Sequence, residues 1–135
     1  MQKINQIYIK SVVKKALDED LKPRGDITTN LISFKNKKTT AKIIAKQSGV
    51  IAGLDFCKTA FKLVGKETIF ISKVKDGSKV KKNKVIAEVQ AKTKTILIAE
   101  RTALNFLNHA SGIATLTHQF KQKVNKKTKI CCTRK

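Results

Sequence analysis

The chain has 135 residues and a formal net charge of +21, enough length for one domain, or one domain and the start of another, with a core that buries roughly 65–70% of the unfolded surface. Its 41% apolar content excludes a disordered chain, and three cysteines, two of them adjacent at Cys131 and Cys132, exclude a disulfide scaffold and offer no zinc-type spacing. The charge suggests a nucleic-acid or acidic-membrane partner, but only Arg24, Arg101 and Arg134 of the 30 basic residues are arginine, aromatics are 5% and tryptophan is absent, which argues for a solvated lysine surface over base reading or base stacking.

The N-terminal stretch is too polar for a signal peptide and no stretch approaches a transmembrane span, so a cytoplasmic protein is the expectation. Ile4, Ile7, Tyr8, Val12, Val13, Ala16 and Leu17 recur at helical spacing and predict an amphipathic helix over residues 4–19. Asp18-Glu19-Asp20 follow as a helix-end cluster, and Pro23 and Gly25 stop the helix. Asp26 is placed to cap a short turn through Ile27-Thr28-Thr29. Residues 31–54 read as strands: Ala41, Ile43 and Ala45 alternate with Lys42, Ile44 and Lys46, and Gly49 and Gly53 punctuate a second strand.

Phe56, Ala60, Phe61 and Val64 predict a helix over residues 55–64, with Gly65 as its C-cap. Strands follow over 68–74 and 85–91, separated by the turn Asp76-Gly77 and a lysine-rich stretch, and 95–98 is a last apolar run. The longest helix is predicted over residues 99–124, its apolar stripe formed by Ala103, Phe106, Leu107, Ala110, Ile113, Ala114, Thr117 and Phe120. Gly112 inside it costs roughly 1 kcal/mol relative to alanine, which close packing against another element would justify. Residues 125–127 form a loop and 129–132 a short strand. The order is that of an α+β domain handing over to a further unit.

Arg101 stands in the first turn of the predicted long helix, where a cation opposes the helix dipole. A salt bridge to Glu100 or another carboxylate would explain it; so would an anionic ligand. Thr133-Arg134-Lys135 follows an apolar strand, and in α/β enzymes ligand groups cluster at the carboxyl ends of strands. An arginine clamps a carboxylate with two parallel hydrogen bonds, a lysine adds a point charge and a threonine hydroxyl fixes orientation. His109 and His118 have no companions at ligand spacing and read as packed residues. No metal site, Walker-type loop or catalytic acid–base pair is legible. Residues 77–89 resemble part of a biotinyl/lipoyl carrier domain, but no lysine lies in the hairpin context that such domains modify.

Longer motifs go further. Ala16-Leu17-Asp18-Glu19-Asp20 is followed by Gly25-Asp26-Ile27-Thr28-Thr29, Gly49-Val50-Ile51-Ala52-Gly53 and Asp76-Gly77. Glu100-Arg101-Thr102-Ala103-Leu104-Asn105-Phe106-Leu107 continues to Ser111-Gly112-Ile113-Ala114-Thr115, and Thr133-Arg134-Lys135 closes the series. Through nearly its whole length the chain resembles the N-terminal half of quinolinate phosphoribosyltransferases, the carboxylating nicotinate-nucleotide pyrophosphorylases of NAD biosynthesis.

The resemblance implies a transferase that joins quinolinate to phosphoribosyl pyrophosphate, giving nicotinate mononucleotide, pyrophosphate and carbon dioxide, with Mg2+ accompanying the pyrophosphate substrate. It implies an N-terminal α/β sandwich over residues 1–105 and, over 106–135, the first helix and strand of a truncated TIM-like α/β barrel. It also implies a homodimer with an active site shared between subunits and no specific nucleic-acid or membrane partner. Arg101 would reach quinolinate in the partner's site, and Thr133, Arg134 and Lys135 would bind it from their own barrel. Two departures stand out: Cys132 replaces a residue that is often acidic, and a barrel takes roughly 200–250 residues. The chain by itself is therefore expected to be inactive. The alternatives are a lysine-rich nucleic-acid-binding module and a related phosphoribosyltransferase acting on another aromatic acid.

Overall fold

The computed structural model describes residues 4–21, 37–125 and 128–131. The expectations at Pro23, Gly25, Asp26 and residues 31–36 lie outside them, as do Cys132 and Thr133-Arg134-Lys135. The elements run α1 (Gln6–Leu21), β1 (Lys38–Ile44), β2 (Gly49–Val50), α2 (Leu54–Val64), β3 (Ile69–Ser72), β4 (Lys79–Val80), β5 (Val85–Lys92) and α3 (Thr93–Lys123).

Helix α1 starts where Asn5 turns its side-chain oxygen onto the Ile7 N–H at 2.8 Å, satisfying one of the donors a helix start leaves open. The buried stripe is Ile9, Val13 and Leu17, spaced by four. Ile9 lies off the predicted apolar stripe, and Ile4, Ile7 and Tyr8 of that stripe are exposed. The stripe packs on α2 and α3.

Strand β5 is the centre of a three-stranded antiparallel sheet in the order β1-β5-β3. Its register sets Ala41 opposite Val89 and Ile43 opposite Ala87, and on the other side Phe70 opposite Val89. Because side chains alternate across a strand, these residues share the inner face, with Ala91, while Lys42, Gln90 and Lys92 point outward among exposed positions. Lys73 pairs with Glu88 at 3.0 Å on that outer side. Ile44 follows the same alternation and is exposed, beside a register shift between Ile43 and Ile44. Helices α2 and α3 lie against the sheet; Phe61 meets Phe70 with ring centroids 6.2 Å apart, and Phe56 stacks on Phe106 at 5.3 Å.

Strands β2 and β4 form a separate two-stranded pair. Beyond β2 the chain enters α2 through Gly53, whose φ of 93° is left-handed. The N–H groups of Gly53 and Leu54 go to the two carboxylate oxygens of Asp76, each at 3.1 Å. Asp76 thus caps α2 from the turn it shares with Gly77, itself at φ 88°. That turn is tied back to the sheet side by Gly77 N–H to Ile51 O at 2.7 Å.

Several expectations are corrected. The long helix begins at Thr93, six residues before the predicted start, because Ile96 and Ala99 are buried against the core. Thr93, Thr95, Ile96 and Ile98 favour strands by side-chain shape, and packing overrides that preference. Gly65 ends α2 in extended conformation, φ −141°, without a left-handed cap. Space explains the glycine: a Cβ there would lie 2.5 Å from Thr95 Cγ2. Gly112 has nothing within 4 Å of where its Cβ would stand, so close packing is not its reason. Residues 129–131 form no strand, since a strand needs a ladder partner and no described strand pairs with them. The apolar stripe of α3 is buried through Ala103 and Leu107 but leaves Ile113 and Phe120, with Leu116 beside them, exposed.

Candidate functional site

Two hydroxyls on α3 complete the edge of β2. Thr115 Oγ1 accepts the Val50 N–H at 2.8 Å, and Ser111 Oγ accepts the Ala52 N–H at 3.0 Å. Each hydroxyl also donates toward the carbonyl of the same residue, at 3.5 Å and 3.2 Å. Residues four apart on a helix share a face, so this pair reproduces what a neighbouring strand would offer. A Cβ on Gly49 would meet Thr115 Oγ1 at 2.8 Å, and one on Gly53 would meet Ala110 Cβ at 3.0 Å. The motifs Gly49–Gly53, Asp76-Gly77 and Ser111–Thr115 are therefore one architectural unit with no reacting group in it.

Arg101 is different. Because α3 begins at Thr93, it lies in the third turn, and the expected clash with the helix dipole disappears. Its guanidinium Nη1 lies 3.1 Å from Asp20 Oδ1 in the last turn of α1, so the carboxylate it meets is Asp20 and not Glu100. The Arg101 side chain is 75% exposed and that of Asp20 25%. Asp20 Oδ2 in turn accepts Thr102 Oγ1 at 3.4 Å, from a buried residue of the next position on α3. The exposed cation is thus held at its inner side and open to solvent at its outer side.

Beside this pair lies a cleft of about 520 Å³ between α1 and α3, lined by Glu19, Asp20, Thr102, Asn105 and His109 among others. His109 is exposed at that cleft and not packed as expected. His118 is half-buried, and its Nε2 has no hydrogen-bond partner among the described residues. A larger cavity of about 730 Å³ opens between residues 41–51 and α3, near Ile43, Leu104, Asn108 and Ser111, and includes neither Arg101 nor Asp20. Cys57 is fully buried in α2, and desolvation pushes its thiol from 9.0 up to about 12, which leaves it protonated and inert.

Among the described residues no group of three or more His, Cys, Asp or Glu side chains could hold a metal ion, and the carboxylate of Asp20 is already engaged on both oxygens. Nor is any described helix long and apolar enough to cross a membrane. Of the four candidate binding residues only Arg101 lies among the described positions; Thr133, Arg134 and Lys135 lie outside them. Asp20 was missed. Its signal was an acidic residue in the last turn of a helix, the end where a carboxylate opposes the macrodipole and needs another reason to be there.

The chain is similar to proteins of one family. A family model described as the N-terminal domain of quinolinate phosphoribosyl transferase matches residues 26–111. A probable carboxylating nicotinate-nucleotide pyrophosphorylase of Methanocaldococcus jannaschii is 40% identical over 132 residues, covering 95% of this chain and 44% of that protein. One of Bacillus subtilis is 34% identical over 133 residues, covering 98% and 45%. Among solved structures, the nicotinate-nucleotide pyrophosphorylase from Francisella tularensis superposes with a TM-score of 0.83 at 32% identity, covering 89% of this chain and 42% of that one. The enzyme from Ehrlichia chaffeensis gives 0.82 at 34% identity, covering 93% and 44%. The chain therefore spans a little under half the length of these four relatives.

Proposed function

Since the chain belongs to the quinolinate phosphoribosyltransferase family, matching its N-terminal domain, we propose that it serves the conversion of quinolinate and phosphoribosyl pyrophosphate to nicotinate mononucleotide, pyrophosphate and carbon dioxide. In this reading residues 1–105 are an α/β sandwich and residues 106–135 open an α/β barrel, with α3 running through both. Two subunits share each active site in the cytoplasm. The domain of one subunit presents Arg101 to quinolinate in the other, while Thr133, Arg134 and Lys135 bind quinolinate from their own barrel.

The observation that carries this reading is the exposed, anchored guanidinium of Arg101, which lies within the stretch that the family model matches. Quinolinate bears two carboxylates, and an arginine fork engages a carboxylate through two parallel charge-assisted hydrogen bonds. Displacement of pyrophosphate builds positive charge on the ribose, so fixed orientation and electrostatics supply most of what the protein can contribute. Arg101 acts on the first of these, by orienting the dicarboxylate. Mg2+ would enter with the phosphoribosyl pyrophosphate, and the described residues hold no set that fits it.

The test is steady-state kinetics on the whole gene product. Nicotinate mononucleotide should form only with both substrates present, and Arg101→Ala should raise the quinolinate KM by about tenfold or more, the worth of one lost charged hydrogen-bonding partner. Arg134→Ala should do the same. Unchanged kinetics in both variants would overturn the assigned roles. Turnover with another aromatic acid in preference to quinolinate would move the protein to a related transferase.

A further inference from the structure

We infer that Asp20 is a positioning residue for Arg101: it fixes the guanidinium in the orientation that receives a substrate carboxylate. This rests on the reading of Arg101 as a quinolinate-binding residue.

The observations come from two helices 81 positions apart in sequence. Asp20 uses both carboxylate oxygens on α3, Oδ1 on Arg101 Nη1 at 3.1 Å and Oδ2 on Thr102 Oγ1 at 3.4 Å. Thr102 is 4% exposed, so one end of this chain of contacts is anchored in the core and the other stands in water. An ion pair whose cation is 75% exposed adds little to stability. Its place in the last turn of α1 works against the helix dipole as well. Stability therefore explains the pair poorly; orientation explains it well. A free arginine has large rotamer freedom, and freezing it on binding a ligand weakens that binding. Here part of that freedom is removed beforehand. The contact with Asp20 engages one terminal nitrogen of a fork with five N–H donors, and leaves the outward side for a carboxylate.

A competing role shares the same geometry, in which Asp20 holds Arg101 back from its ligand. The two roles differ in sign. Anchoring makes removal of Asp20 weaken substrate binding; competition makes removal strengthen it.

The experiment is a double-mutant cycle on the whole gene product, read by kinetics with quinolinate varied. Asp20→Ala should raise the quinolinate KM about three- to tenfold, leave kcat within about twofold and leave the melting temperature nearly unchanged. Asp20→Glu should recover most of the loss. In the Arg101→Ala background, Asp20→Ala should add nothing. If Arg101→Ala raises the KM while Asp20→Ala leaves it unchanged or lowers it, the positioning role is overturned and the reading of Arg101 stands. If Arg101→Ala has no effect, or the unsubstituted protein shows no quinolinate-dependent turnover, both fall. A further loss from Asp20→Ala in the Arg101→Ala background would show that Asp20 acts otherwise than through Arg101.

Discussion

The hydroxyl of Thr115 stands 2.8 Å from the backbone N–H of Val50, 65 positions away in sequence, and with Ser111 on Ala52 it takes the part of a strand that β2 lacks on that side. The two-residue strand β2 has β4 on one edge and these helical side chains on the other. That arrangement makes the glycines at 49 and 53 a requirement of the helix, and the hydroxyls at 111 and 115 a requirement of the strand. Ser111→Ala and Thr115→Val should each leave a part-buried N–H without its partner, at a cost of about 1–3 kcal/mol. Urea unfolding of the single and double variants measures this. Losses within a few tenths of a kcal/mol would mean that water replaces the hydroxyls.

Asp76 carries the start of α2. Its two oxygens accept both first N–H groups, at 3.1 Å each, from a turn 22 and 23 positions further on. Asp76→Ala should destabilise by about 1–2 kcal/mol, the range of a lost N-cap. Asp76→Asn should recover part of that, since one oxygen remains. Gly53→Ala should be worse than a normal helix-start substitution, because φ is 93° and a Cβ would crowd that of Ala110 at 3.0 Å. Denaturation midpoints rank the three.

Gly112 offers the opposite case. It sits on the exposed side of α3 with open space around the Cβ position. Gly112→Ala should stabilise the chain by up to about 1 kcal/mol through helix propensity alone. Thermal melting of residues 1–135 checks it. A fall in melting temperature would show that the position meets a partner in solution.

The Cys57 thiol titrates near 9.0 when exposed and at about 12 in the fold, raised by desolvation. Between those values the unfolded chain has lost a proton that the folded chain keeps. The contribution is therefore fully present below pH 9 and falls as pH rises toward 12, by about 1.4 kcal/mol per pH unit. Lysine titration in the same range is common to both proteins when wild type is compared with Cys57→Ala. Stability should fall more steeply for wild type over that window. In the folded chain at pH 8, an alkylating reagent should label the exposed Cys131 and spare Cys57.

Local patterns were legible wherever the period was clean. Val13 and Leu17, the helix over residues 55–64, the Asp76-Gly77 turn and the alternation through Ala41 and Ile43 all show in the described elements. Two of the misses come from contacts distant in sequence. Thr93–Ile98 looks like a strand until Ile96 is buried by the core. Gly65 looks like a cap until Thr95 claims the space beside it. At the site, Arg101 was visible as an oddity because a charge was placed where the helix was thought to begin; the anomaly was in the helix boundary, and the interest of the residue lies in its exposure and its tie to Asp20. Asp20 could be read from sequence only as one of three acids, since nothing local distinguishes it from Asp18 and Glu19. Arg101 is expected to bind substrate on the family likeness and not on any rule of charge or period, and that likeness says nothing of Asp20.

The helix α3 has 31 residues, which at about 1.5 Å each makes a rod about 46 Å long. Its first half is clamped by the core and its middle is pinned to β2 through Ser111 and Thr115. The rest leaves Leu116 and Phe120 exposed among the described residues. One rigid rod thus carries Arg101 and the two hydroxyls that hold β2, so the spacing between those places is set by helical rise and not by a loop.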